Sequence, residues 1–143
     1  MKWSLVVEGG GRPLGVVVAS ANTNDHFLLE ETLSKRVVKE GEGMKVHLCL
    51  DLGYDNKRGR EAGEKAGFTL HIRRCGKEVE FSAGDAGRQG KRSRRYVVER
   101  CHAWLRRCRS LLVRWERKLQ NYKGLLELAC ALLWYRAWKN ATL

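Results

Sequence analysis

Val46-His47-Leu48-Cys49-Leu50-Asp51 is a short apolar run that ends in an acid, and the turn Leu52-Gly53-Tyr54-Asp55-Asn56 follows directly. A carboxylate that closes a buried strand is costly unless it is solvated or bound to a cation. In α/β sheets the carboxyl ends of the strands are also where sites gather. The stretch therefore predicts an α/β fold with Asp51 as a candidate functional group. The competing reading is an ordinary strand-ending aspartate in a turn. Asp55, four residues on, reads as a cap for the following helix rather than as a second ligand.

Working outward, a glycine-interrupted helix runs to Ala66, Gly67 is placed to cap it, and Phe68 to Ile72 alternates as another strand. Upstream, Trp3 to Glu8 and Leu14 to Ala19 are rich in Val and Leu and flank Gly9-Gly10-Gly11-Arg12-Pro13, the pattern of an antiparallel hairpin. Because a strand and not a helix follows those glycines, they form a turn and no phosphate loop. Asn22 to Asp25 is a cap-forming cluster, and Phe27, Leu28, Leu29, Leu33 and Val37 behind it predict a helix ending near Lys39.

Downstream, Arg73 to Arg95 mixes Gly, Ser and eight basic residues with three acids and has no periodicity, so it reads as a loop. From Arg94 to Lys118 the apolar positions Val97, Val98, Cys101, Trp104, Leu105, Cys108, Leu111, Leu112 and Trp115 recur every three or four residues, which predicts one long amphipathic helix. Asn121 to Trp138 is apolar nearly all round and predicts a second helix packed as a hairpin on the first or across the sheet.

The chain has 143 residues, one domain's worth, and a formal net charge of +12 from 28 Lys and Arg against 16 Asp and Glu. Such a balance favours polyanionic partners through counterion release, nucleic acid ahead of anionic membrane. Arg88 to Lys118 alone holds twelve Lys or Arg and two acids, Glu99 and Glu116, so the footprint is local. Five cysteines (Cys49, Cys75, Cys101, Cys108, Cys130), odd in number and without a Cys-x-x-Cys pair, argue against a disulfide framework and for reduced thiols in a cytoplasmic protein. The apolar run at the start is too short for a signal peptide. Leu125 to Trp138 carries Glu127 and Arg136 and falls short of a bilayer span.

At 100° per residue, Arg92, Arg95, Ala103 and Arg106 fall within about 40° of Glu99, opposite the apolar stripe. Two readings stand. One is a solvated face with intrahelical ion pairs such as Arg95 to Glu99, worth a few tenths of a kcal/mol. The other is a metal-binding carboxylate flanked by phosphate-binding arginines. Cys101-His102 with Cys108 fits no common zinc spacing, and both cysteines lie on the apolar stripe, so they read as core. Trp104, Trp115, Trp134 and Trp138 likewise read as packing rather than as base-stacking platforms.

The order Gly-Arg-Pro-Leu-Gly-Val-Val-Val...Ala-Asn-x-x-Asp (Gly11 to Asp25), Leu-Asp-Leu-Gly-Tyr-Asp (Leu50 to Asp55), Gly-Phe-Thr-Leu-His-Ile (Gly67 to Ile72), Arg-x-x-x-Glu-Arg (Arg95 to Arg100) and Asn-Tyr-x-x-Leu-Leu-x-Leu-Ala-Cys-Ala-Leu (Asn121 to Leu132) resembles bacterial insertion-sequence transposases of the DDE type, most of all the insertion-sequence-five group. The resemblance implies an α/β RNase H-like mixed sheet with flanking helices and a C-terminal helical hairpin. Residues 1–72 would carry the strands and the second Asp, 73–93 a basic loop, and 94–143 the glutamate helix and the C-terminal helix. Asp51 matches the family's second Asp and Glu99 its Glu, which assigns both as catalytic and metal-binding. Two Mg²⁺ ions would serve the complete enzyme. The family's signature around the glutamate resembles Tyr-x-x-Arg-x-x-x-Glu-x-x-x-x-x-x-Lys. Arg92, Arg95, Glu99 and Arg106 stand at its positions, and the three arginines become the DNA contacts.

The family's first Asp belongs to a strand upstream of the Trp3 hairpin, the central strand of such a sheet. Glu8, Asp25 and Asp55 each have an easier explanation as a strand end or a cap. The resemblance thus implies a partial domain lacking its first strand, with unpaired strand edges and one metal ligand short. Its expected partners are double-stranded DNA, the upstream half of the transposase and further copies of itself, and no membrane. Its expected role is DNA cutting and joining at insertion-sequence ends when complete. The alternative is a catalytically inactive DNA-binding remnant.

Overall fold

Lys2–Val7 (β1) and Pro13–Ala19 (β2) are filled by β-branched and apolar residues that suit a half-buried pleated surface, and they pair antiparallel from Lys2↔Ala19 to Val6↔Gly15. The register then slips to put Val7 opposite Pro13, which has no amide proton to donate and stands first in its strand. The turn is closed by Glu8 N donating to Arg12 O (3.0 Å) and Gly11 N donating to Glu8 O (2.8 Å). Gly11 adopts φ +89°, a conformation that a side chain would strain. This computed structural model describes residues 1–38, 44–72 and 95–142, with Arg95 described in its backbone alone.

Alternation along β1 sends side chains to two cores. Trp3, Leu5 and Val7, with Val16 and Val18 of β2, pack on the cluster of Cys101, Leu105, Leu111, Tyr122, Leu126, Ala129 and Leu133. Ser4 and Val6 face the other way, toward the helix Asp25–Ser34 (α1). There the buried Thr32 hydroxyl shares a hydrogen bond with Ser4 Oγ (2.7 Å) and meets the Leu28 carbonyl (2.7 Å), which satisfies both polar groups.

Val46–Leu50 (β3) and Phe68–Ile72 (β4) form a parallel pair from Val46↔Phe68 to Leu50↔Ile72, joined through a 3₁₀ turn at Leu52–Tyr54 and the helix Lys57–Lys65 (α2). Val46, Leu48, Leu50, Phe68 and Leu70 bury one face against Leu29 and Leu33 of α1 and Ala62 of α2. Close approach of α2 to β4 requires glycine at position 63, where a Cβ would lie 2.3 Å from Leu70 Cδ2. Gly67, at φ +80°, ends α2 as expected.

The expected single mixed sheet is divided among the described residues into two sheets of two strands, β1–β2 and β3–β4. α1 packs on both strands of the first and on α2 of the second unit, and its Leu29 and Leu33 join Val6 to Val46, Leu48 and Leu50 in one core. The α/β class expected from the Asp51 stretch therefore holds.

Four local expectations change. The helix expected to end near Lys39 stops at Ser34, because the chain turns and Val37 N donates to Leu14 O (2.9 Å) at the β2 edge. The cap of α2 is Asn56, whose side chain accepts from Gly59 N (2.8 Å), and not Asp55, which is bonded instead by Arg60 through Nε (2.9 Å) and Nη2.

The single helix expected over Arg94 to Lys118 is broken into Arg95–Arg106 (α3) and Arg109–Leu112 (α4). Arg107 N and Cys108 N donate three residues back, to Trp104 O and Leu105 O (3.1 Å each), tightening and ending the last turn. The break leaves Arg106 and Arg107 at the helix C-terminus, where cations are favoured. It also turns Leu111 into the core (3% exposed), whereas Leu112 and Trp115, which a straight helix would hold on the same stripe, are 62% and 74% exposed.

The tryptophans expected in the core are mostly outside it, Trp104, Trp115 and Trp138 being exposed. Trp134 is half-buried, with Nε1 donating to Pro13 O (2.6 Å) and Arg12 over its ring (4.9 Å). The last helix, Leu119–Thr142 (α5), packs on α3, α4 and β2 through Tyr122, Leu126, Ala129 and Leu133, and leaves Leu128, Leu132 and Tyr135 exposed. A helix apolar all round is thus covered on one side only.

Candidate nucleic-acid interface and metal centre

Asp51 follows the last residue of β3, at the carboxyl end of a parallel strand, and is exposed. Its Oδ1 accepts from Leu52 N (2.7 Å), so it also caps the 3₁₀ turn. Glu99 lies on the exposed face of α3 while Val97, Cys101 and Leu105 bury the opposite face, as the helical pattern requires. Arg106 is exposed two turns further on. Arg92 lies outside the described residues, and Arg95 is described only as the first residue of α3.

The two carboxylates belong to different units, Asp51 to the β3–β4 sheet and Glu99 to a helix packed on β1. Among the described residues, no three His, Cys, Asp or Glu side chains are grouped so as to hold a metal ion. The donor chemistry of Asp51 and Glu99 suits a hard divalent cation, since both are carboxylates on exposed residues. Glu8, Asp25 and Asp55, also considered as ligands, are held by basic side chains. Glu8 accepts from Gly10 N (2.8 Å), Arg12 N (3.2 Å) and Arg12 Nε (2.6 Å), and the Arg12 guanidinium holds its carboxyl below the ordinary value. Asp25 pairs with Lys2 Nζ at 2.8 Å, and Asp55 with Arg60.

α3 is fixed to the hairpin by Arg100, whose Nη2 donates to Gly10 O (2.5 Å). The basic surface beyond it includes exposed Arg106, Arg107, Arg109, Arg117 and Lys118. Cys101 is buried and Cys130 half-buried, and burial pushes the Cys101 thiol up to about 11 and that of Cys130 to about 12, which holds both as neutral thiols.

One concave feature had no sequence signal. A cleft of about 400 Å³ opens where the start of β1 meets α3, α4 and α5, lined by Lys2, Trp3, His102, Arg106, Arg114 and Tyr122 among others. Its aromatic wall is ordered by a relay in which Trp3 Nε1 donates to Tyr122 Oη and Tyr122 Oη donates to Leu111 O, both at 3.0 Å. These residues are up to 119 positions apart, so no local pattern announces them.

Residues 1–134 match the family described as the transposase DDE domain. The chain belongs to that family. This DDE transposase domain is also 30% identical over 147 residues to a protein assigned as a transposase of insertion sequence element IS402 from Burkholderia cepacia, an alignment covering 98% of the chain. The chain spans 65% of the length of that relative. No solved structure matches. No helix among the described residues is long and apolar enough to cross a membrane.

Proposed function

We propose that this transposase domain acts on DNA, with Asp51 and Glu99 as two of the carboxylates that hold catalytic divalent metal in the complete transposase and the α3 arginines as contacts to the DNA backbone. The observation that carries the reading is the pairing of family membership over residues 1–134 with an acid at the carboxyl end of β3 and an acid on the exposed face of α3 that ends at Arg106. Bound Mg²⁺ would supply activation of water or a 3′-hydroxyl and stabilisation of the leaving oxygen. Asp51 and Glu99 would bind and orient the metal, and Arg92, Arg95 and Arg106 would hold phosphates by charge-assisted hydrogen bonds. In this reading the two sheets are parts of one RNase H-like sheet, and the protein works in the cytoplasm on double-stranded DNA, with the upstream half of the transposase and further copies as partners.

A second reading rests on the exposed basic surface that Arg106, Arg107, Arg109, Arg117 and Lys118 form: the chain by itself binds DNA without cutting it. Two experiments separate them. Affinity for duplex DNA should fall steeply with salt, and Arg106→Gln should reduce the log–log slope by about 1; a flat response refutes the basic face as a contact surface. Mg²⁺-dependent nicking of plasmid is expected only when the upstream half is supplied, and it should vanish in Asp51→Asn and in Glu99→Gln. Nicking that survives Asp51→Asn contradicts the catalytic assignment.

A further inference from the structure

The β3–β4 pair turns Val46, Leu48, Leu50, Phe68 and Leu70 toward the α1–α2 core, so alternation sends His47, Cys49, Thr69 and His71 to its other face. His47, Cys49 and Thr69 are exposed there, and His71 is half-buried. The register sets His47 against Thr69 and Cys49 against His71, which makes the two histidines diagonal neighbours on adjacent strands. Their rings meet. His47 Nδ1 lies 2.6 Å from His71 Nε2, with ring centroids 4.9 Å apart and planes inclined at 36°. Two imidazole nitrogens aimed at each other share one proton, one nitrogen donating and the other accepting. On an open face that bond is worth little, because water competes for both nitrogens. The same arrangement is a chelate, since the lone pairs of the two neutral rings converge on one point.

We propose that His47 Nδ1 and His71 Nε2 together bind one borderline divalent transition-metal ion, of the zinc, nickel or copper kind, bridging β3 and β4. Neutral imidazole is the ligand such ions select, whereas the hard Mg²⁺ takes oxygen donors and keeps much of its water. Metal–nitrogen bonds of about 2.0–2.1 Å in tetrahedral geometry set two ligating nitrogens about 3.3 Å apart. The histidine pair has to open by about 0.7 Å to admit the ion, which small rotations of two side chains on an open face supply. Two protein donors leave the remaining coordination positions to water, as in an open site rather than a closed structural one. β3 runs on from His47 to Asp51 within four residues, so the ion clamps to its neighbour the strand that presents that carboxylate. The site is separate from the assignment of Asp51 and Glu99 and does not depend on DNA binding.

The test adds Zn²⁺ to the purified chain and follows the histidine rings by ¹H–¹⁵N correlation spectra. His47 Nδ1 and His71 Nε2 should shift together on one binding curve, while the rings of His26 and His102 stay in place. His47→Gln should weaken the response of His71 at least about ten-fold, and His71→Gln that of His47, because each ring then lacks its partner in the chelate; even an outer-shell partner costs that much when removed. Zn²⁺ should also raise the midpoint of thermal unfolding of the unmodified chain, since an ion held by the folded pair favours the folded state, and His47→Gln should lose that rise. Cys49→Ser, which removes the thiol opposite His71, should keep both ring shifts, and a large excess of Mg²⁺ should not reverse them. Zn²⁺ binding that leaves either nitrogen unmoved, a shift of one ring that survives undiminished when the other is replaced, loss of both shifts in Cys49→Ser, or reversal by Mg²⁺ overturns the proposal.

Discussion

Arg100 reaches from α3 to the hairpin turn and donates from Nη2 to the Gly10 carbonyl oxygen at 2.5 Å, which ties the helix carrying Glu99 to the first strand pair. Gly11 makes this possible, for its φ is +89° and a Cβ there would lie 2.9 Å from Arg100 Nη2. Gly11→Ala should destabilise the fold by about 1–3 kcal/mol through backbone strain, and Arg100→Ala by a smaller amount. Urea denaturation followed by circular dichroism measures both. Wild-type stability in Gly11→Ala would show that the turn relaxes freely.

Tyr122 is buried, and its hydroxyl serves Trp3 and Leu111 at once. Tyr122→Phe keeps the ring and strips both bonds, leaving the Trp3 indole and the Leu111 carbonyl without this partner, at a cost of about 1–3 kcal/mol. Thermal unfolding should reveal the loss. A variant as stable as the wild type would mean that water replaces the hydroxyl.

Acid should act in two windows. His102 is depressed in the folded chain, so as pH falls below the ordinary imidazole value of 6.5 the unfolded chain takes up a proton that the folded chain refuses, and stability declines. Glu8 is depressed too, so its contribution is complete above its ordinary value of 4.5 and is lost as pH drops through the lower folded value. Denaturation midpoints against pH should lose the upper window in His102→Asn and the lower one in Glu8→Gln. Retention of the same slope in either variant removes that assignment.

The thiols should separate by depth. Cys49 is exposed, whereas Cys101 is buried and Cys130 half-buried, with the thiol pKa values of both pushed up by burial. Cys49 should be alkylated by iodoacetamide in the folded state, and Cys101 and Cys130 only on unfolding, as mass spectrometry of digested peptides would show. Equal labelling of Cys49 and Cys101 would mean that α3 does not stay packed.

What the sequence revealed depended on how local the cause was. The β3 run, its closing Asp51 and the Gly67 cap were legible because each is written in neighbouring residues. Glu99's exposure followed from helical period alone. The break at Arg107 and Cys108 was not legible, since no proline or glycine marks it and the gain is the burial of Leu111 against a distant core. The β1–β2 hairpin was legible in its glycine turn, whereas the separation of β3–β4 into its own sheet and the Trp3–Tyr122 relay are long-range, so periodicity is silent on them. Trp138 misled because hydrophobic spacing cannot tell the covered side of α5 from its exposed side, and Trp115 because the break after α3 takes it off the stripe.

Iron-mediated cleavage of the polypeptide would test most directly whether Asp51 and Glu99 hold one metal centre. Fe²⁺ replacing Mg²⁺ reduces added hydrogen peroxide to hydroxide and a hydroxyl radical, with ascorbate returning Fe³⁺ to Fe²⁺, and the radical cuts backbone close to the ion, so the DNA-bound protein should be cut near both residue 51 and residue 99. Excess Mg²⁺ should suppress both cuts, and Asp51→Asn or Glu99→Gln should each abolish the pair. Cutting near one position that persists when the other residue is replaced would contradict a shared centre.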